Sequence, residues 1–468
     1  MKKSLLAAAA LSVLASNAFA ETNVPQSAVK NLSVTVYNNG LGLVKDTRGV
    51  PFEKGTNTVS FAGVSAQIQP ETALFSGDGV RVVEQNFNFD LLNRQSLLQK
   101  FLGKQIKVVS TNPATGAETT EDATVLSAAD DGVVLKIGDR IETDSKARLI
   151  FPDVPATLRD KPTLTVDLLS DKAGSRDVNL SYLTNGLTWR ADYVAELNDA
   201  EDSIDLNGWV TLTNDSGADY KNADMQFVAG SVNRVRPMTR ARPMMMMAKA
   251  AAVYDSVSNM AEEELMDYHL YSLGRKTDIL SNQTKQLALL SGSNIQARKE
   301  YRFDDITPVY SPRQKEFDTR SAAIYLQFVN DKKSNLGMAL PAGTMRVYKA
   351  DSKQRIFFVG EDRIKHTPEN EKIKLALGEA FDVTAKGKQT AYTQFSPKAY
   401  EASYEITFQN AKNVPVTVYS YQSLPDGWTI TNNSAAYTKE NAGRVLWQIT
   451  VPAKGKTVLT YTVRVKGE

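Results

Sequence analysis

The 468-residue chain carries 55 Lys and Arg residues against 53 Asp and Glu residues, a balance that argues against a nucleic-acid-binding surface. Its length allows roughly three domains of ~100–200 residues each, and 42% hydrophobic residues can supply their cores. The absence of cysteine excludes disulfides, thiolate metal sites, cysteine nucleophiles and a lipid-modified N-terminal cysteine.

The first twenty residues have the three-part pattern of a secretory signal peptide. Lys2 and Lys3 precede an apolar run that is shorter than the ~20 residues of a bilayer span. Ala18-Phe19-Ala20 then supplies a small-x-small cleavage site. We therefore expect export of the Gram-negative type, cleavage after Ala20, and a periplasmic or secreted protein without a transmembrane segment.

An N-terminal β region is predicted over residues 31–88. Leu32, Val34 and Val36 alternate with polar residues, so one face of this strand would lie on a core and the other in water. Asn39-Gly40 predicts a tight hairpin turn after it.

Residues 89–155 predict one helix followed by short strands. The helix would run from Asp90, which can cap its free amides, to Leu102, and Gly103 would end it. Four short alternating runs follow, and together they indicate a small SH3-like barrel preceded by this helix.

Two β-sandwich regions complete a mainly β fold class. The first, over residues 160–377, contains alternating runs interrupted by a long insertion at 234–267. The second, over residues 378–468, has strands punctuated by turn signals at the spacing of an immunoglobulin or fibronectin-like sandwich. About 90 residues is a normal size for such a unit, so we expect 378–468 to fold alone.

Three sequence blocks point to a known family. They are residues 182–193 (YLTNGLTWRADY), residues 340–348 (LPAGTMRVY) with 358–362 (FVGED), and residues 423–430 (SLPDGWTI). In this order they resemble bacterial exported proteins with a C-terminal domain of unknown function, domain family 4139, which is related to mucoidy inhibitor A-like proteins. The resemblance implies export and supplies no catalytic residue.

No reaction centre is recognisable, so we predict no catalytic, metal or cofactor residues. The only histidines, His269 and His366, accompany neither a Gly-x-Ser-x-Gly elbow nor a His-Glu-x-x-His motif. We expect both to be structural or surface residues. The adjacent acids Asp130-Asp131 and Asp304-Asp305 are typical of exposed turns.

An unusual segment rich in arginine and methionine lies within the insertion. Proline, arginine and methionine recur there without strand or helix period, which predicts a disordered loop. Two alternatives stay open: docking to a partner or membrane surface, and capture of copper(I) by thioethers. The candidate residues are Arg234, Arg236, Arg240, Arg242, Met244, Met245, Met246 and Met247.

The sequence therefore predicts a non-catalytic binding or scaffolding protein of the cell envelope. Its partner would be an unknown envelope protein or polymer. The alternative is an envelope hydrolase whose carboxylates converge only in the fold.

Overall fold

The computed structural model describes residues 21–129, 132–143, 147–230, 232–233, 260–307 and 316–466. Over these ranges the chain is mainly β, as the alternating pattern predicts, with thirty strands and one α-helix. Within the same ranges, no helix has the length and apolar character needed to span a bilayer. The predicted signal peptide lies outside the described residues.

The strands span the described chain from end to end. The first fifteen are β1 (Thr22–Val24), β2 (Val29–Tyr37), β3 (Leu41–Phe52), β4 (Gly55–Ala62), β5 (Leu74–Ser76), β6 (Val80–Asn88), β7 (Gln105–Thr111), β8 (Glu118–Ala129), β9 (Gly132–Ile137), β10 (Arg140–Glu142), β11 (Arg148–Ile150), β12 (Thr163–Ser170), β13 (Gly174–Asn185), β14 (Leu187–Leu197) and β15 (Ser203–Asn214). The remaining strands are β16 (Tyr220–Ala229), β17 (Ala261–Leu265), β18 (Tyr268–Ser272), β19 (Thr277–Ile279), β20 (Gln283–Asp304), β21 (Arg320–Asn330), β22 (Gly343–Ala350), β23 (Ile356–Ile364), β24 (Glu371–Gln394), β25 (Tyr400–Asn410), β26 (Val416–Ser423), β27 (Trp428–Asn433), β28 (Tyr437–Asn441), β29 (Arg444–Val451) and β30 (Lys456–Val465). The helix α1 (Arg94–Lys100) precedes β7, and short 3-10 helices lie at Gln26–Ala28, Pro70–Thr72 and Lys332–Ser334.

The chain divides into two compact units, each assembled from three segments. Unit 1 consists of Met1–Thr188, Thr213–Gln226 and Arg275–Thr284, and unit 2 consists of Trp189–Leu212, Phe227–Gly274 and Lys285–Glu468. The units are therefore interleaved along the sequence, whereas the predicted domains follow one another in order.

Unit 1 contains three sheets. One has the strand order β1-β4-β12-β6, and β2, β3, β13 and β5 lie side by side in a second. The third has the order β10-β9-β8-β7-β11 and packs with α1 around Leu98, Phe101 and Leu135. Its edge strands β10 and β11 do not pair with each other, so the described strands of this region form an open five-stranded sheet.

The predicted helix is shorter than expected. Its N-cap is Asn93 and not Asp90, because the Asn93 side chain accepts the Ser96 N–H at 2.9 Å while the Ser96 hydroxyl accepts the Asn93 N–H. Asp90 instead forms an ion pair with Lys100 at 2.7 Å. The helix ends before Gly103, whose φ of 73° favours glycine.

Unit 2 is built on a long sheet with the order β23-β22-β14-β15-β20-β21-β24-β25-β30-β27. Strand β26 pairs in parallel with β20 and antiparallel with β29, and β28 pairs with β29. The predicted domain boundary at Gly378 lies inside β24, which pairs with β21 on both sides of that glycine. Its φ of 140° accommodates a register shift, so Gly378 marks an irregularity within a strand and not a break between domains.

The core around the C-terminal strands explains this continuity. Trp447 and Tyr461 lie at its centre with ring centroids 4.8 Å apart. The same core includes Tyr301, Phe303 and Phe317, which precede the predicted boundary by more than sixty residues. The C-terminal strands therefore share their apolar interior with β20 and β21.

The predicted insertion also ends earlier than Asp267. Strand β17 forms an antiparallel hairpin with β18, with Glu262 opposite Tyr271. The run of three glutamates hid this strand, because it gives β17 no apolar face in the sequence.

Candidate functional site

A polar face lies on unit 2 where β24, β21, β20, β26 and β29 are successive neighbours. Their register brings together residues that are far apart in the chain. Lys374 lies opposite Gln327, Gln327 lies opposite Arg298, and Arg302 lies opposite Tyr419. Because side chains alternate along a strand, every second residue of these strands points to this face.

Cations and tyrosines alternate from strand to strand across the face. Strands β24, β20 and β29 contribute the cations, and strands β21 and β26 contribute the tyrosines between them. In spatial order these side chains are Lys372 and Lys374, then Tyr325, then Arg298 and Arg302, then Tyr419 and Tyr421, and then Arg444.

Each central tyrosine is contacted by cations from both neighbouring strands. Lys374 Nζ lies 4.3 Å and Arg302 Cζ 5.4 Å from the ring centroid of Tyr325. Arg302 Cζ lies 4.3 Å and Arg444 Cζ 4.8 Å from that of Tyr421. We call these five residues the cation–tyrosine ladder. Each such contact contributes ~0.5–2 kcal/mol, depending on its exposure, so the ladder holds long side chains in defined positions.

The buried carboxylate of Glu300 supports the ladder. Its side chain is only 2% exposed and contacts Arg298 and the Gln327 amide, with Lys374 Nζ 3.5 Å away. Burial, followed by the charge of Arg302, lowers the pKa of Lys374, and Glu300 opposes that shift. The buried carboxylate thus helps Lys374 to stay charged.

Asp304 orients the two arginines of the ladder. Arg302 donates from Nε and Nη2 to the two carboxylate oxygens, each at 2.7 Å, in a bidentate pair, and Arg444 donates to the same carboxylate. Burial opposes the charge of Arg302, but its hydrogen bonds to Asp304 raise its pKa overall. Both guanidiniums are therefore fixed in direction.

A recess of about 490 Å³ is lined by four of the ladder residues, Lys374, Arg302, Tyr421 and Arg444, and also by Glu440, Asn441 and Gln448. Five cations face it against the carboxylates of Glu300, Glu440 and the adjacent Asp304. Within the described part of the chain, Arg444 Nε is buried and makes no hydrogen bond. The five cations outnumber the three carboxylates, so the recess carries excess positive charge.

The residues predicted as a docking or copper(I) segment cannot be placed against this site. Arg234, Arg236, Arg240, Arg242 and Met244, Met245, Met246 and Met247 lie outside the described residues. The described ranges contain no group of three His, Asp or Glu side chains that could hold a metal ion.

The two histidines make structural contacts. His269 Nδ1 lies 2.7 Å from Glu262, which also accepts the Ala339 N–H at 2.9 Å. His366 Nδ1 accepts the Ala342 N–H at 3.2 Å, and burial together with the charge of His269 lowers the pKa of His366. Histidines 97 residues apart are thus brought close enough to interact, which their sequence positions did not indicate.

Asp304 and Asp305 were predicted to be exposed turn residues, but both carboxylates are engaged by neighbouring groups. Asp304 holds the ladder arginines, and Asp305 accepts the Ser423 N–H at 2.6 Å and the Ser423 hydroxyl at 3.1 Å. The ladder was not predicted from the sequence. A signal was present, since Arg298, Glu300, Arg302 and Asp304 place four charges on one face of a single strand.

A comparison with protein families bears on the same part of the chain. The model described as "Domain of unknown function (DUF4139)" matches residues 178–467, a range that contains the whole ladder. No curated protein matches the chain.

Proposed function

The chain belongs to the DUF4139 family, and from the cation–tyrosine ladder we propose that it is a non-catalytic binding protein of the cell envelope. The ladder would bind an anionic envelope polymer. This proposal includes export through the N-terminal signal peptide, cleavage after Ala20, and a periplasmic or secreted location. It also includes kinship with mucoidy inhibitor A-like proteins.

The observation that carries the proposal is the fixed array of cations. Lys374, Arg302 and Arg444 are stacked on tyrosines and oriented by carboxylates before any ligand arrives. Holding a side chain in its bound position reduces the ordering cost of binding, which otherwise is ~0.5–1.5 kcal/mol per flexible side chain. Guanidinium groups match carboxylate and phosphate oxygens in geometry, so anionic groups are the ligands that this array fits.

The ladder favours binding over the alternative of an envelope hydrolase. A glycosidase needs one carboxyl group that offers a proton to the leaving group. Glu300 and Asp304 instead form ion pairs with arginine side chains, and these ion pairs orient the cations. We therefore place these carboxylates in a supporting role.

We also propose a finer architecture for the two units. The open five-stranded sheet with α1 would be an SH3-like element, and the strands after β24 would form part of an immunoglobulin-like sandwich. The apolar core around Trp447 and the short strands β7 to β11 support this proposal.

The proposal is tested by isothermal titration of the mature chain with polygalacturonate, and with neutral dextran as the uncharged control. We expect binding of polygalacturonate that weakens as salt rises, and none of dextran. Arg302→Met should weaken binding ~10-fold or more, equivalent to ~1.4 kcal/mol, because it removes the central cation.

The matched control is Arg140→Met. Arg140 is an exposed arginine of β10 that also contacts two carboxylates, those of Glu121 and Glu142. This variant should bind like the wild type. Failure of the wild type to bind the polyanion, or equal losses in both variants, would overturn the assignment of the ladder.

A further inference from the structure

We propose that the ladder binds the phosphate monoester group of a phosphorylated glycan in preference to the carboxylate of a uronic acid. This inference rests on the anionic-polymer binding proposed above and specifies the charged group of that polymer.

The cations of the ladder converge on a single tyrosine ring. The ring centroid of Tyr421 lies 4.3 Å from Arg302 Cζ, 4.8 Å from Arg444 Cζ and 6.0 Å from Lys374 Nζ. Arg302 and Arg444 also donate to the same oxygen, Oδ1 of Asp304. The three positive groups therefore form one compact cluster, which suits a single anionic group better than a row of separate charges.

Asp304 orients these guanidiniums without using all of their donors. A guanidinium is planar and carries several N–H groups along its edges. Arg302 turns the edge formed by Nε and Nη2 toward Asp304, so its Nη1 group points away from that carboxylate. The side chains of Arg302, Lys374 and Arg444 are 17%, 27% and 31% exposed, which leaves each of them open to a ligand.

The charge of the recess distinguishes a phosphate monoester from a carboxylate. Five cations face three carboxylates, which leaves an excess of two positive charges. A phosphate monoester carries about −1.5 to −2 charges at pH 7 and offers three terminal oxygens. A carboxylate carries one charge and offers two oxygens. One phosphate group therefore neutralises most of the excess, whereas one carboxylate leaves half of it.

Uncharged polar side chains of the recess suit a sugar that carries the phosphate. Asn441 and Gln448 line the recess together with Tyr419 and Tyr421. Burial, followed by the charge of Glu300, raises the pKa of Tyr421, so its phenol is neutral over the physiological pH range. Amide and phenol groups both donate and accept hydrogen bonds, as sugar hydroxyls do. The recess therefore offers contacts to a hydroxylated ring as well as to its phosphate.

The test measures how well glucose derivatives displace polygalacturonate from the protein in competition titrations at constant ionic strength. Glucose 6-phosphate carries the phosphate monoester, glucose 6-sulfate has the same tetrahedral shape with a single charge, and glucuronate has a carboxylate at the same carbon. We expect glucose 6-phosphate to have an inhibition constant at least ~10-fold lower than the other two. Inorganic phosphate should displace the polymer less well than glucose 6-phosphate, because it lacks the sugar.

The outcomes separate this inference from the proposed function. Displacement by glucose 6-phosphate that is absent, or no stronger than that by the sulfate or by glucuronate, would overturn the preference for phosphate and leave anionic-polymer binding intact. Inorganic phosphate as effective as glucose 6-phosphate would overturn the assignment of a phosphorylated glycan. Failure of polygalacturonate to bind would overturn the proposed function as well.

Two variants change the excess charge of the recess in opposite directions. Glu440→Gln removes an exposed carboxylate, so it should increase the preference for glucose 6-phosphate over glucuronate. Arg444→Met removes a cation and should raise the inhibition constant of glucose 6-phosphate ~10-fold or more. An unchanged preference in Glu440→Gln, or an unchanged inhibition constant in Arg444→Met, would contradict the role of the excess charge.

The matched control for Arg444→Met is Arg464→Met. Arg464 of β30 also pairs with a carboxylate, that of Glu401 at 2.7 Å, and its Cζ lies 5.8 Å from the ring centroid of Phe395. It does not line the recess, so this variant should keep the wild-type inhibition constants. Thermal melts of the variants check that the fold persists, and equal losses in the two arginine variants would overturn the assignment of the site.

Discussion

The buried ion pair of Arg48 and Asp46 makes unit 1 unusually sensitive to a single substitution. The two side chains are 1% and 5% exposed. Arg48 Nε and Nη2 donate to the Asp46 carboxylate at 2.6–3.0 Å, and Nη1 donates to the carbonyls of Val24 at 2.9 Å and Ala62 at 2.8 Å. One guanidinium thus neutralises a buried acid and ties the ends of β1 and β4 together.

The perturbation is Arg48→Met, which keeps much of the apolar stem and removes the charge. It leaves Asp46 buried without a counterion and two carbonyls without their donor. Removing one partner of a buried pair costs ~3–5 kcal/mol. At ~2–4 °C per kcal/mol for ~150–250 residues, the melting transition of unit 1 should fall by roughly 6–20 °C.

Differential scanning calorimetry of the protein measures this shift, with Lys30→Met as the control. Lys30 pairs with Asp177 on the surface, where both side chains are more than half exposed, so its loss should cost less than ~1 kcal/mol. The double variant Asp46→Leu/Arg48→Met removes both charges and should recover part of the loss. A shift for Arg48→Met as small as that for Lys30→Met would refute the reasoning, as would a double variant that loses the sum of the single effects.

Three further predictions concern unit 2. The pKa of His366 in the folded state is lowered from its ordinary value of 6.5. Its contribution to the free energy of unfolding should therefore be constant above pH 6.5 and should fall as the pH drops below 6.5, because the unfolded chain takes up the proton at a higher pH than the folded chain does. In urea unfolding, the free energy of unfolding of His366→Gln should fall less steeply with decreasing pH than that of the wild type. An unchanged pH dependence would contradict this prediction. Glu262→Ala should cost ~1–3 kcal/mol in urea unfolding because it leaves the Ala339 N–H without its acceptor; a loss below ~0.5 kcal/mol would argue against that contact. A fragment of residues 378–468 should lack a cooperative calorimetric melt, since Tyr301, Phe303 and Phe317 supply part of its core, and a sharp transition would restore the predicted boundary.

Local pattern was enough to predict the strands and the class of fold. Leu32, Val34 and Val36 were expected to face a core, and they are 8%, 0% and 0% exposed. The turn at Gly40 has the positive φ of 79° that a tight turn of this kind requires. Such features are predictable because alternation and turn chemistry act over a few neighbouring residues.

By itself, the sequence determined the mainly β class and the absence of disulfides. It also determined which side chains share a face of each strand, so that Arg298, Glu300 and Arg302 had to lie on one side of a strand. Only the tertiary structure decided which strands lie beside that side. The parallel pairing of β20 with β26 brings Tyr421 to Arg302 across more than a hundred residues. No local signal specifies such a pairing, because its register is set by the combined burial of apolar side chains on the opposite face of the sheet. For the same reason Arg48, a charge in an alternating strand, gave no sign that it would be buried against Asp46.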